Sequence, residues 1–203
     1  MIVAPIPVGA RLVDCVTILT PATALALKAQ GVDGVIRYYE TLGPAEVDAI
    51  MAANLGLCPV GYSRRPGWVP KPGDGVADAT GMLAKLTALA LPLGGLHQWC
   101  DLEGCAGSLD QASAFLEEHS KTIVLAGGRG GVYVGAEQPL GAKALYDVVH
   151  VTAYWRSQSA DIPEPRCGWV MVQLYPTTTC GGVSVDFDFA QQDYEGRRAS
   201  WLR

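Results

Sequence analysis

Trp99-Cys100-Asp101-Leu102-Glu103-Gly104 closes an apolar run that begins near Leu91 and sets two carboxylates where a strand should finish. Side chains alternate faces along a strand, so Asp101 and Glu103 are expected on one face, about 7 Å apart. Same-face acids that close repel one another and raise each other's pKa, which suits a site that works with protons.

Working outward, strands and helices alternate. Leu12–Ile18 reads as a strand, and Thr20-Pro21 opens a helix over Ala22–Gln30 that stops at Gly31. Val35–Tyr39 is a second strand, and Gly43-Pro44 opens a helix with Val47, Ile50, Met51 and Leu55 at helical spacing. Leu57–Tyr62 is a third strand, followed by a Pro/Gly/Arg-rich loop carrying Trp68, and an Ala/Leu-rich helix over Val76–Ala90 leads into a fourth strand, Leu93–Asp101. Ser108 caps the next helix and Gly127-Gly128 ends it. Further strands are expected at Val132–Val134, Val151–Trp155, Trp169–Tyr175 and Val183–Phe187, with only Ala142–Val149 helical among them. This alternation predicts an α/β fold, an irregular TIM-like (β/α) barrel with reduced helices in its C-terminal third and some antiparallel character there, built as a single domain over residues 1–203.

In a barrel of this kind the reactive groups stand at the C-terminal strand ends. Those positions collect Asp14, Arg37, Tyr39, Tyr62, Asp101, Glu103, Tyr133, Tyr154, Trp155, Gln173, Tyr175, Asp186 and Asp188, with Trp99 beside them. Acids and flat rings together suit a sugar, whose C–H faces stack on aromatics while its hydroxyls bond to carboxylates and amides. Asp186 is favoured over Asp188 as the inward acid. Gly127–Gly131 follows a helix and precedes a strand, the reverse of a phosphate cradle, and reads as a helix stop. His97, His119 and His150 are scattered; no metal site is expected, and His97 reads as a bonded core histidine.

A net charge of −5 without a Lys/Arg cluster argues against nucleic acid as a partner, and no apolar run reaches the length of a membrane span. The first residues lack a basic then apolar leader, so cytoplasmic synthesis without a signal peptide is expected, with action on a wall after release or delivery by a partner. Cys15, Cys58 and Cys100 fall in strands and are expected in the core; Cys105, Cys167 and Cys180 fall in loops, where one surface disulfide is an open alternative. A monomer is expected.

Taken together, Asp14, the Asp101-x-Glu103 pair, Gly131-x-Tyr133-x-Gly135, Tyr154-Trp155, Gln173-x-Tyr175 and Val185-Asp186-x-Asp188 resemble the family-25 glycoside hydrolases, the Chalaropsis-type lysozymes. The pattern is closer still to their glycoside-hydrolase-like relatives known only as a domain of unknown function, with which Gly34–Tyr39 also agrees. Leu12-Val13-Asp14 departs from the lysozymes' G-x-D, and Asp188 stands where they favour Asn. The resemblance implies cleavage of the β-1,4 bond of peptidoglycan after N-acetylmuramic acid, with Glu103 as proton donor, Asp101 assisting, Asp14 and Asp186 completing the site, and no cofactor. Two alternatives stay open: a non-catalytic glycan-binding or structural barrel, such as a phage-particle or effector component, and a hydrolase of another polysaccharide.

Overall fold

A computed structural model describes the whole chain except Tyr62, Ser63, Ala160 and the side chain of Tyr175. Its elements are β1 (Val3–Pro5), β2 (Arg11–Asp14), α1 (Pro21–Ala29), β3 (Gly34–Tyr38), α2 (Pro44–Ala52), β4 (Gly56–Gly61), α3 (Asp74–Ala88), β5 (His97–Asp101), α4 (Leu109–Leu125), β6 (Arg129–Val134), α5 (Ala142–Asp147), β7 (Val151–Arg156), β8 (Met171–Cys180), β9 (Val183–Ala190) and β10 (Ser200–Leu202).

Local chemistry sets the helix starts. Thr20 and Thr23 form a reciprocal capping box ahead of Pro21, and Ser108 with Gln111 does the same for α4, satisfying amide groups that a helix start leaves without partners. Strands β2 to β9 close into an eight-stranded mixed barrel, shut by the pairing of β4 with β5. From β2 through β4 and on to β8 neighbouring barrel strands run parallel; β9 runs antiparallel to both β8 and β2 and closes the circle. The helices dwindle after β6 as expected. Among the described residues none follows α5, and β8 and β9 form a hairpin turning at Gly181-Gly182.

Strand alternation divides the apolar residues between two sides. Leu12, Ile36, Cys58, Val60, Trp99, Ala153, Trp155 and Met171 fill the barrel interior, while Val13, Val35, Leu57, Cys100, Val132 and Tyr154 face outward against the helices and loops. Each fully buried aliphatic side chain stabilises the fold by about 1.5–3 kcal/mol relative to exposure.

Two short strands have no counterpart among the predicted ones. β1 and β10 pair antiparallel and dock on β4 at the barrel's base, where Trp201 lies against Gly34 and Gly56. A Cβ on Gly56 would sit 2.2 Å from that indole, so only glycine leaves room for it. Three-residue strands are too short to show a period, which is why neither stands out in the sequence. All six cysteines are free and buried, Cys105, Cys167 and Cys180 included, so the surface-disulfide alternative is not realised. Among the described residues no helix is long and apolar enough to cross a membrane.

Candidate active site

The C-terminal ends of the parallel strands gather a set of acids. Asp14 ends β2, and its Cα partner across the sheet is Asp186 on β9. Asp101 ends β5 and pairs with Tyr133 on β6, while Gln173 on β8 pairs with Asp188 on β9.

β5 stops at Asp101, so Glu103 is not the next residue on its inner face but lies in the turn beyond. That turn is held at several points. The Glu103 amide donates to Asp101 Oδ1 at 2.9 Å, Gly104 N donates to the Ala136 carbonyl at 2.9 Å, and Trp68 Nε1 donates to the Glu103 carbonyl at 2.9 Å. Both glycines of Gly131-x-Tyr133-x-Gly135 make room for this edge. A Cβ on Gly131 would meet the Trp99 ring at 2.6 Å, and one on Gly135 would meet Glu103 Cβ at 2.4 Å. The two acids therefore differ in setting: Asp101 is buried and fixed by a backbone amide, while Glu103 is exposed at the mouth. Burial pushes the Asp101 carboxyl up to about 7, helped by the Glu103 charge and opposed by the Glu103 amide. Desolvation also raises Glu103, against the pull of the Ala136 amide, with the charges of Asp186 and Glu137 adding to the rise.

Beneath the mouth runs a polar chain. Tyr133 Oη donates to Gln173 Oε1 at 3.0 Å, and Gln173 Nε2 donates to Asp14 Oδ2 at 2.7 Å. Asp14 also meets the carboxyl of Asp188, whose Oδ1 accepts from Trp155 Nε1 at 2.7 Å. Asp188 Oδ2 is buried and has no donor among the described residues, an arrangement that favours the protonated form of one of the two carboxyls. Burial accordingly raises Asp14 to about 7, with the Asp186 charge adding to the rise and the Gln173 amide opposing it. It raises Asp188 well above the carboxylate range, with the Asp14 charge adding to it. Asp186 is half-buried above this chain and accepts from the Thr177 hydroxyl. Among the described residues no salt bridge reaches any of these five acids, and no group of three or more His, Cys, Asp or Glu is arranged to hold a metal ion.

The predicted residues divide on this geometry. Asp14, Asp101, Glu103, Tyr133, Trp155, Gln173, Asp186 and Asp188 come together on the inner side of the barrel. Asp188, rather than Asp186, is the more deeply buried of the β9 acids, the reverse of the predicted preference. Arg37, Tyr39 and Tyr154 do not join them. Arg37 is fully buried on the outer side, where its Nε donates to Glu46 Oε1 at 2.7 Å and its guanidinium also reaches the Cys15 carbonyl. Tyr39 packs over Gly61 and Met82 against α3, and Tyr154 Oη donates to the Leu145 carbonyl at 2.9 Å behind β7. Trp99 is on the inner side but fully buried beneath Asp101, edge-on to Trp155 at 6.0 Å, so it underlies the site rather than lining its opening. Tyr62 and the side chain of Tyr175 lie outside the described residues.

Two mouth residues were missed. Tyr38, not Tyr39, is the inward-facing tyrosine of β3; it is partly buried and its hydroxyl is pushed up by burial and by the charges of Asp101, Asp14 and Glu103. Its same-face position with Ile36 was the available signal. Trp68, read only as part of a loop, braces the Glu103 turn and packs edge-on against Phe115 at 5.2 Å. His97 is a bonded core histidine as read, with Ser200 N donating to its Nδ1 at 3.0 Å.

Neither a protein-family model nor the sequence of a curated protein matches the chain. Solved structures do. An uncharacterized B. stearothermophilus protein superposes with a TM-score of 0.71 at 16% identity, over 90% of this chain and 96% of that one. A bacterial lysozyme from Streptomyces coelicolor superposes with a TM-score of 0.58 at 12% identity, over 90% and 92%. At these identities the likeness is one of fold: the chain has a lysozyme-like barrel.

Proposed function

We propose that the chain is a glycoside hydrolase that cleaves the β-1,4 bond of peptidoglycan, with Glu103 as the proton donor and Asp101 assisting. The observation that carries this is the braced Asp101–Glu103 turn, in which one acid is buried and bound to the other's amide while the second stands open at the mouth with its proton held more tightly than usual. Asp101 retains a proton up to about 7, but its Oδ1 is committed beneath the turn; Glu103 is the acid that a bound glycan can reach. Glu103 would protonate the glycosidic oxygen as the bond to the anomeric carbon breaks. Asp101, once ionised, would stabilise the positive charge on that carbon or orient a neighbouring acetamido group to attack it. Asp14 and Asp186 would bind hydroxyls across the mouth, with Tyr38 and Trp68 as the aromatic surfaces in place of the buried Trp99. The fold likeness to a bacterial lysozyme agrees with this reading. The chain would meet its substrate after release or delivery to a cell wall.

Glu103→Gln should keep its fold by circular dichroism and lose at least ~100-fold in the rate of reducing-end release from purified peptidoglycan. Mass spectrometry of the wild-type fragments should show muramic acid at the new reducing end. A variant that clears walls as fast as wild type overturns the assignment. Wild-type binding without any release would instead make the chain a glycan-binding module.

A further inference from the structure

At the opposite face of the barrel, where β5, β6 and β7 begin, a cavity of about 430 Å³ lies among Pro5, His97, Arg129, Thr152, Arg197 and Arg198. A second hollow alongside it shares Pro5, Arg129 and Arg198, so the two form one groove across the base. Its charge is one-sided. No carboxylate lines either hollow among the described residues. Arg197 is neutralised by Asp193, at 2.7 Å, and by Glu195. Arg129 and Arg198 are exposed, and among the described residues neither makes an ion pair. In a protein of net charge −5, two arginines without an ion pair among the described residues, both lining one cavity, are a local reversal of sign.

The cavity floor is polar but adds no charge, and its polar groups bond to one another. Ser200 N donates to His97 Nδ1, which leaves the ring proton on Nε2, 3.4 Å from the Thr152 hydroxyl, and Thr152 in turn donates to the Gly130 carbonyl at 3.2 Å. Burial, with Arg129 and Arg197 nearby, holds His97 down to about 3, so the ring is neutral across ordinary pH.

We propose that this groove binds a phosphate group. Each guanidinium presents a planar fork of donors, and here the two forks come from separate segments, the start of β6 and the residues before β10. A planar carboxylate fills one fork with both its oxygens. A tetrahedral phosphoryl group has enough oxygens to meet both, and the cavity is large enough to take the sugar or polyol that carries it. The site is independent of the acids at the mouth and does not rest on the hydrolase reading.

Binding is tested by titrating the whole chain at constant pH and ionic strength, with thermal shift and calorimetry as readouts and chloride, acetate, inorganic phosphate and poly(glycerol phosphate) as probes. Wild type should show saturable binding of phosphate that neither chloride nor acetate reproduces. Arg129→Gln and Arg198→Gln should each weaken it about tenfold, the loss of one charge-assisted fork, while Lys121→Gln, an equal change of charge on exposed α4, should not. Tighter binding of the polymer than of free phosphate identifies a phosphodiester chain as the occupant; the reverse identifies a monoester. Equal binding of acetate, no saturable response, or an Arg129→Gln/Arg198→Gln double variant that binds like wild type overturns the proposal.

Discussion

Two of the places where the molecule buries charged side chains handle them in opposite ways. Outside the barrel wall, Arg37 and Glu46 are both removed from solvent but neutralise one another, and Glu46 Oε1 also accepts from the Leu19 amide at 2.8 Å. Inside, the buried Asp188 and the partly buried Asp14 stand together with the same sign, and burial favours the protonated form of each, with Asp101 and Glu103 above them. The first arrangement joins β3 to α2 through a pair of opposite charges. The second costs stability whenever it ionises.

Breaking the neutral pair should give the largest effect. Arg37→Met leaves Glu46 buried without its counter-ion and is expected to cost about 3–5 kcal/mol in urea unfolding, whereas Arg37→Met combined with Glu46→Leu should recover most of it. A double variant as unstable as the single one would show that the pair contributes packing rather than charge balance.

The acid cluster should respond in the other direction. Asp14 and Asp101 have folded-state values near 7 against 3.8 in the unfolded chain, so the stability they lend is complete below 3.8 and is lost as pH rises through 7. His97 and His119, lowered to about 3 and about 4 from 6.5, run oppositely and offset the acids only below 6.5. The net fall should therefore appear between 6.5 and about 8. Asp188→Asn keeps an acceptor for Trp155 and gives Asp14 a donor, so it should raise Tm by about 2–4 °C at pH 8 and by much less at pH 4. An equal gain at both values would detach the effect from ionisation.

The smallest change tests the link between the two layers of the site. Tyr133→Phe removes one donor to Gln173 and should cost about 0.5–1.5 kcal/mol, measured by the same unfolding curves.

These contrasts also show how far the residues alone could be read. The acids were legible because their alternation with large apolar neighbours, Leu12 beside Asp14 and Trp99 beside Asp101, fixes the inner face. Arg37 and Tyr39 were misplaced because a one-residue error in phase turns every side chain through the sheet, and Tyr38 was overlooked for the same reason. Tyr154 and Trp155 are adjacent on one strand and cannot both face inward; only the packing of Tyr154 behind β7 decides between them. The end of β5 at Asp101, which turns Glu103 from a strand residue into a turn residue, depends on contacts from Trp68 and Ala136 far along the chain. No local pattern carries that information.

Trp201 bears on how the chain reaches this state. Its indole fills the space left by Gly34 and Gly56, and the Ile2 and Arg203 backbones bond to each other beside it. During synthesis the strands that it seals emerge some 145 residues before it does, going by the numbers of Gly56 and Trp201. Until then β3 and β4 carry an open notch at their feet. Sealing of the barrel's base thus waits on a segment far along the chain, a non-local contact of the kind that slows folding, and an earlier collapse would leave that notch exposed to other chains.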